Sequence, residues 1–185
     1  LAIGSTDETR ELFIVTDQTF PKIYQDSTLY NSLVQHSLCE GLVFTDAVNV
    51  TVKSLENLHK SSEIPPDISL VKIDTEGFDE EVLIGMGNYC YPVVMAEFWD
   101  IGIPFGESGA KNQLQDMVKT MKSKGYGWHI AMYRIWGNTE ASYYCNHPYS
   151  IENSWGNVFF FQDYNLFTEA LKWCSATMPT TYLTA

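Results

Sequence analysis

The run Val-Lys-Ile-Asp-Thr-Glu-Gly-Phe-Asp-Glu-Glu-Val-Leu-Ile-Gly-Met at residues 71–86 constrains this chain more than any other stretch. Leu70, Val71, Lys72 and Ile73 read as a buried strand that ends on Asp74. A short turn carries Glu76 and Gly77. A helix then opens at Phe78 or Asp79 and closes on Gly85 and Gly87. Two carboxylates thus stand where a strand hands over to a helix. In open α/β sheets that edge is where ligands bind.

The surrounding pattern supports a layered fold. Residues 12–15 and 48–52 are β-rich and bracket a polar stretch with Pro21, Asp26, Asn31 and Ser32. That stretch reads as a long loop with one helical turn, and long loops in compact domains tend to be functional or mobile. Residues 54–60 suit a short helix capped by Ser54, and Pro65-Pro66-Asp67 breaks the chain before the central strand. Residues 92–98 read as a second buried strand, followed by a loop over 99–109 with three glycines and Pro104. Leu114, Met117, Val118 and Met121 have helical spacing within 110–124, with Gly125 as a stop. Residues 126–135 and 158–161 read as strands, 137–157 as irregular and aromatic-rich, and 164–174 as a last helix. Strands alternating with helices over 185 residues point to one α/β domain.

The central run resembles the Lys-Ile-Asp-x-Glu-Gly-x-x-x-x-x-Leu-x-Gly segment of the FkbM-type methyltransferases. These are S-adenosylmethionine-dependent enzymes, mostly O-methyltransferases. Ala2, Ile3 and Gly4 resemble the end of that family's third strand. The stretch at 50–58 resembles its strand and Leu-Asp-x-Leu element, with Glu56 where Asp is usual, and 92–98 resembles the next strand, which commonly ends on a Glu. The resemblance covers residues 1 to about 100 and is loose beyond.

It implies a class I, Rossmann-like methyltransferase fold of the α/β type. Such domains open with a glycine-rich loop and an acidic strand end that hold the cofactor. No G-x-G-x-G occurs in this chain, which begins at Leu1 without an initiator Met. The expectation is therefore an N-terminally truncated three-layer sandwich, a single methyltransferase-like domain over 1–185 without its first two strands. Those strands lie between the third and fourth in the family sheet. Their loss is expected to open a gap beside residues 70–74, leave two unpaired edges and weaken cofactor binding.

The resemblance implies S-adenosylmethionine as cofactor, with Ile3 and Gly4 near the adenine and Asp74 near the cofactor's charged end. Asp74 and Glu76 are the catalytic candidates, since a carboxylate within hydrogen-bond reach can deprotonate an attacking hydroxyl. The acceptor would be a small molecule or glycan. Glu76 has a competing reading as a cap of the following helix. Lys72 is expected to point to the other face of the sheet and pair with a carboxylate. Asp74, Glu97 and Asp100 would form a hard-cation site if adjacent strands end level, but the signature implies no metal. That cluster would suit a metal-dependent hydrolase instead. A non-catalytic glycan- or protein-binding domain derived from a methyltransferase is the other alternative.

His129, Tyr133 and Arg134 fall on the strand at 126–135, where His129 suits a packed core. His36, His59 and His147 read as loop or surface residues. Trp99, Phe105, Trp136, Tyr143, Tyr144, Tyr149 and Trp155 fall on two loops and suit either a ligand cleft or a satellite cluster.

A net charge of -12 disfavours nucleic acid as a partner. No apolar run approaches the ~20 residues that span a bilayer. Cys39, Cys90, Cys145 and Cys174 include no C-x-x-C pair. Scattered thiols of this kind suit a reducing, cytoplasmic compartment.

Overall fold

A computed structural model describes residues 1–100, 102, 103, 110 and 112–178. The strands form two sheets. In the first, β1 (Ala2–Gly4) lies parallel to β3 (Leu42–Ser54), which pairs along its length with antiparallel β2 (Glu8–Asp17). In the second the order is β4-β5-β8-β6-β7, with β4 (Leu70–Ile73) parallel to β5 (Val93–Trp99). β8 (Ser154–Phe161), β6 (Trp128–Ile135) and β7 (Ser142–Cys145) continue it antiparallel. β1 and β4 lie in different sheets, and β4 is an edge strand with Leu70 53% exposed.

Helices hold the sheets together. α1 (Leu55–Lys60) follows β3 directly, and the Ser54 hydroxyl accepts the Asn57 amide at 3.2 Å as its cap. α2 (Asp79–Gly85) lies between β1 and α3 (Leu114–Ser123). α4 (Tyr164–Thr177) covers the far face of β6 and β8 through Phe167 and Cys174. The main core joins Val82, Leu83 and Met86 beside α2 to Phe98, Met117, Met121 and Phe160.

Gly85 explains the closeness of the joint. A Cβ there would lie 1.9 Å from the Gly4 carbonyl oxygen. It is a contact glycine and not a helix stop; the stop is Gly87, at φ +56. Gly4 is equally confined, since a Cβ on it would lie 2.8 Å from Val52 and 3.1 Å from the Phe78 ring.

The sheet is wider than the sequence pattern indicates. The stretch 137–157, read as irregular, contains β7 and the first half of β8. Trp155, Gly156 and Asn157 pair with Trp99, Phe98 and Glu97, so strand structure there rests on a neighbour and not on local pattern. The expected helical turn is present as a 3-10 turn at Ser27–Tyr30, capped by Asp26. All four cysteines are free thiols. No helix among the described residues is long and apolar enough to cross a membrane.

Candidate active site

The β4–α2 turn is built on unusual backbone. Glu76 and Gly77 sit in succession at φ +52 and +91. A left-handed conformation costs a non-glycine residue roughly 1–2 kcal/mol. Contacts hold it in place: the Ser32 hydroxyl donates to the Glu76 carbonyl at 2.6 Å, and Gly77 leaves room for Trp99 and Ala110, both 3.2 Å from where a Cβ would be. The result turns the Glu76 side chain into the fold beside Glu97 of β5.

Asp74, Glu76 and Glu97 each offer a carboxylate oxygen, all within 4.8 Å of one another. Asp74 is the outermost, with its side chain 44% exposed and paired to Lys72, which thus has the carboxylate partner expected of it. Burial first, then the charges of Asp74 and Asp79, pushes Glu76 up to about 7. Burial, followed by repulsion from Glu76 and Asp79, pushes Glu97 up to about 9. Glu97 Oε2 is buried with no hydrogen-bond partner among the described residues.

Asp79 is the residue that sequence reasoning missed. It opens α2 and is fully buried. Its carboxylate accepts the Glu97 amide at 3.2 Å and the Thr75 hydroxyl at 3.1 Å, so it ties β5 to the turn. Burial raises its pKa to about 6, although these hydrogen bonds work against the rise. In the sequence it stands first in the acidic run Asp79-Glu80-Glu81, which reads as an ordinary solvated helix start and gave no signal of burial.

Two expectations are corrected here. Asp100 is not in the acid cluster; it accepts the Ser150 hydroxyl at 2.8 Å and the Asn153 amide at 2.7 Å, fastening the loop before β8. Glu76 takes its place in the cluster. Nor does Glu76 cap α2: the cap position is Phe78, without a side-chain cap bond.

Glu76 and Glu97 face a cleft of about 370 Å³. The loop after β2 supplies Tyr24, Leu29, Tyr30, His36, Leu38 and Cys39; the sheet side supplies Trp99, Trp136 and Trp155. Rings meet at steep angles, His36 with Trp99 at 4.9 Å and 67°, and Tyr24 with Tyr30 at 5.5 Å and 78°. His36, read as a loop residue, is only 7% exposed. Its Nδ1 donates to the Ser37 carbonyl at 3.0 Å, and Nε2 has no partner among the described residues. Burial lowers its pKa, which keeps the ring neutral.

The remaining candidates lie elsewhere. His129 is buried with Nε2 bonded to the His147 carbonyl at 2.9 Å, a satisfied core histidine. Tyr133 packs on Tyr144, and Arg134 is exposed. Tyr143 and Tyr144 are buried along β7, while Tyr149 is exposed away from the cleft. Phe105 and most of the 99–109 loop lie outside the described residues. Ile3 packs against the main core, and neither Ile3 nor Gly4 lines the cleft.

A carboxylate-floored cleft at the end of parallel strands fits group transfer to a small ligand. The model of the methyltransferase FkbM domain matches residues 1–127. The chain belongs to the FkbM methyltransferase family. The FkbM match takes in β1 through α3, with the whole carboxylate turn, and stops before β6. Trp136 and Trp155 therefore lie beyond the FkbM segment although they wall the same cleft. No curated protein and no solved structure shows a significant match to the chain.

Proposed function

We propose that this chain transfers the methyl group of S-adenosylmethionine to a hydroxyl of a small molecule or glycan held in the aromatic cleft. The observation that carries the reading is Glu76, a half-buried carboxylate poised near 7 that faces the cleft beside Glu97. A general base works best when its pKa lies near the operating pH.

S-adenosylmethionine supplies an electrophilic methyl on a positively charged sulfur. The donors at the end of β4 are anionic, which suits the cofactor's sulfonium and ammonium charges. Asp74, at the rim, and Glu76 are the residues that would hold that end. Ile3, half-buried in the middle of β1, would neighbour the adenine. Gly4 is closed in by Val52, Phe78 and Gly85, and its part is to let β1 and α2 approach.

Glu76 takes the hydroxyl proton as the acceptor oxygen attacks, and releases it to solvent afterwards. Glu97 orients the acceptor. Asp79 is a positioning residue, acting on Glu97 through the backbone of β5. The tyrosine and tryptophan rings exclude water, which strengthens the electrostatics of the transfer.

Glu76→Gln is expected to lower methyl transfer about 100-fold or more, followed with a labelled methyl group on the cofactor and a hydroxyl acceptor. The unsubstituted chain should lose rate as pH falls below about 7, where Glu76 takes up its proton. Turnover near the original rate in the Gln variant would remove Glu76 from the mechanism.

A further inference from the structure

The cleft has a one-sided electrostatic character. Among the described residues its lining includes Glu76 and Glu97 but no Lys or Arg. Asp74 and Asp79 stand behind them, and Lys72, the cation at the turn among the described residues, is engaged with Asp74 and half-exposed. The whole chain carries a net charge of -12, so no long-range positive field offsets this. An anionic acceptor such as a sugar phosphate or a uronic acid would enter against like charge.

The walls have a matching preference. Tyr24, Tyr30, Trp99, Trp136 and Trp155 surround the space, and Tyr24 meets Tyr30, as His36 meets Trp99, at a steep angle. Aromatic faces attract a cation through their quadrupole, most strongly when the site is desolvated. Aromatic rings around a carboxylate floor combine two attractions for one positive group. The third observation is His36. Its Nδ1 is committed to a carbonyl and must carry the hydrogen, so the neutral ring presents Nε2 as an acceptor. That buried nitrogen has no partner among the described residues and calls for an N–H or O–H donor.

We infer that the acceptor is a hydroxyl-bearing organic cation, an amino alcohol or amino sugar, whose ammonium group sits between Glu97 and the aromatic walls. The inference rests on the reading of this cleft as the acceptor site. It narrows that reading from any hydroxyl compound to a positively charged one. The ammonium displaces the proton that Glu97 otherwise holds and offsets the repulsion of the resulting carboxylate with Asp74 and Glu76. The hydroxyl then lies within the same cleft as Glu76, its base.

The test uses choline and its uncharged carbon isostere, 3,3-dimethylbutan-1-ol, titrated against the intrinsic tryptophan fluorescence of the full chain. Choline is expected to bind at least tenfold more tightly, about 1.4 kcal/mol. Glu97→Gln should reduce that ratio toward one, while Trp155→Leu should weaken both ligands. Equal or tighter binding of the isostere overturns the inference and leaves a neutral acceptor in the cleft. No saturable response to choline overturns it as well. So does a response to magnesium alone, which would make the carboxylates a metal site. The underlying reading fails separately: if Trp155→Leu and Glu76→Gln both keep full methyl transfer, the cleft is not where the acceptor binds.

Discussion

The floor and the walls of the cleft are built in different ways. The floor is local: Asp74, Glu76 and Asp79 fall within six residues of one strand–turn–helix, and Glu97 lies on the adjacent parallel strand. The walls are assembled from three distant segments, a loop near residue 30, the end of β5, and the region from Trp136 to Trp155. The floor lies entirely inside the FkbM match, whereas two of the tryptophans lie beyond it. Family membership thus speaks to the charge chemistry at the turn. Of the walls, the loop near residue 30 and Trp99 also lie inside the match, and only Trp136 and Trp155 among the described lining residues lie outside it. Substitution of Glu76 in the floor should change the rate of the chemical step, whereas substitutions in the walls or at Glu97 should change acceptor affinity.

The largest effect is expected where the floor is anchored. Gly85→Ala would drive a methyl group into the Gly4 backbone, with no flexible side chain to give way. Forced overpacking costs about 1–3 kcal/mol, more than the roughly 1 kcal/mol that alanine gains in a helix. Thermal unfolding should therefore show a lower Tm. A Tm unchanged or raised would mean that α2 can move off β1 freely, and the floor would no longer be a rigid unit.

A wall substitution sharpens the contrast. Trp155→Leu is expected to raise the acceptor KM about tenfold, or about 1.4 kcal/mol, with kcat changed far less. Steady-state kinetics at saturating cofactor read the two separately. An equal fall in kcat with KM unaltered would place Trp155 among the groups that act on the transition state, and the division between floor and walls would fail.

The last test concerns the stability cost of the floor. Glu97 is raised from 4.5 to about 9, so between these values the folded chain holds a proton that the unfolded chain has released. Stability then falls as pH rises through that window. Glu97→Gln removes the penalty, so its Tm should exceed that of the unsubstituted chain at pH 8 and converge with it near pH 5. A change of 1 kcal/mol corresponds to about 2–4 °C in a domain of this size. A variant more stable yet worse at holding acceptor would mark Glu97 as a residue kept for function. Equal stability at both pH values would show that Glu97 is better solvated than its surroundings indicate.

Legibility in the sequence followed the same division. The positions of the strand, turn and helix around Asp74 could be read directly, because apolar residues, glycines and acids stand there in register, but the expected buried strand lies at the sheet edge with only Ile73 buried. The helical spacing of Leu114, Met117, Val118 and Met121 was equally readable, and all four are buried on α3. β7 was not, since Ser142 to Cys145 carries no local alternation and is a strand only by pairing with β6. Asp100 was misplaced because its reach to Ser150 and Asn153 spans 50 and 53 residues. His36 was invisible for a similar reason: nothing near it announces that Trp99 and Phe44 will close over the ring. Local chemistry is written in neighbouring residues, while enclosure depends on which distant segments arrive.

The left-handed backbone at Glu76 sets a conflict for anyone engineering this chain. Glycine or asparagine at position 76 would sit there with less strain than glutamate. Both would also remove an ionisable group that is half-buried against like charges. A library sorted for survival after heating would accordingly drift toward these residues at this one codon. The same library sorted for methylated product would hold it as glutamate. Heat tolerance and turnover would then pull the same position toward different amino acids.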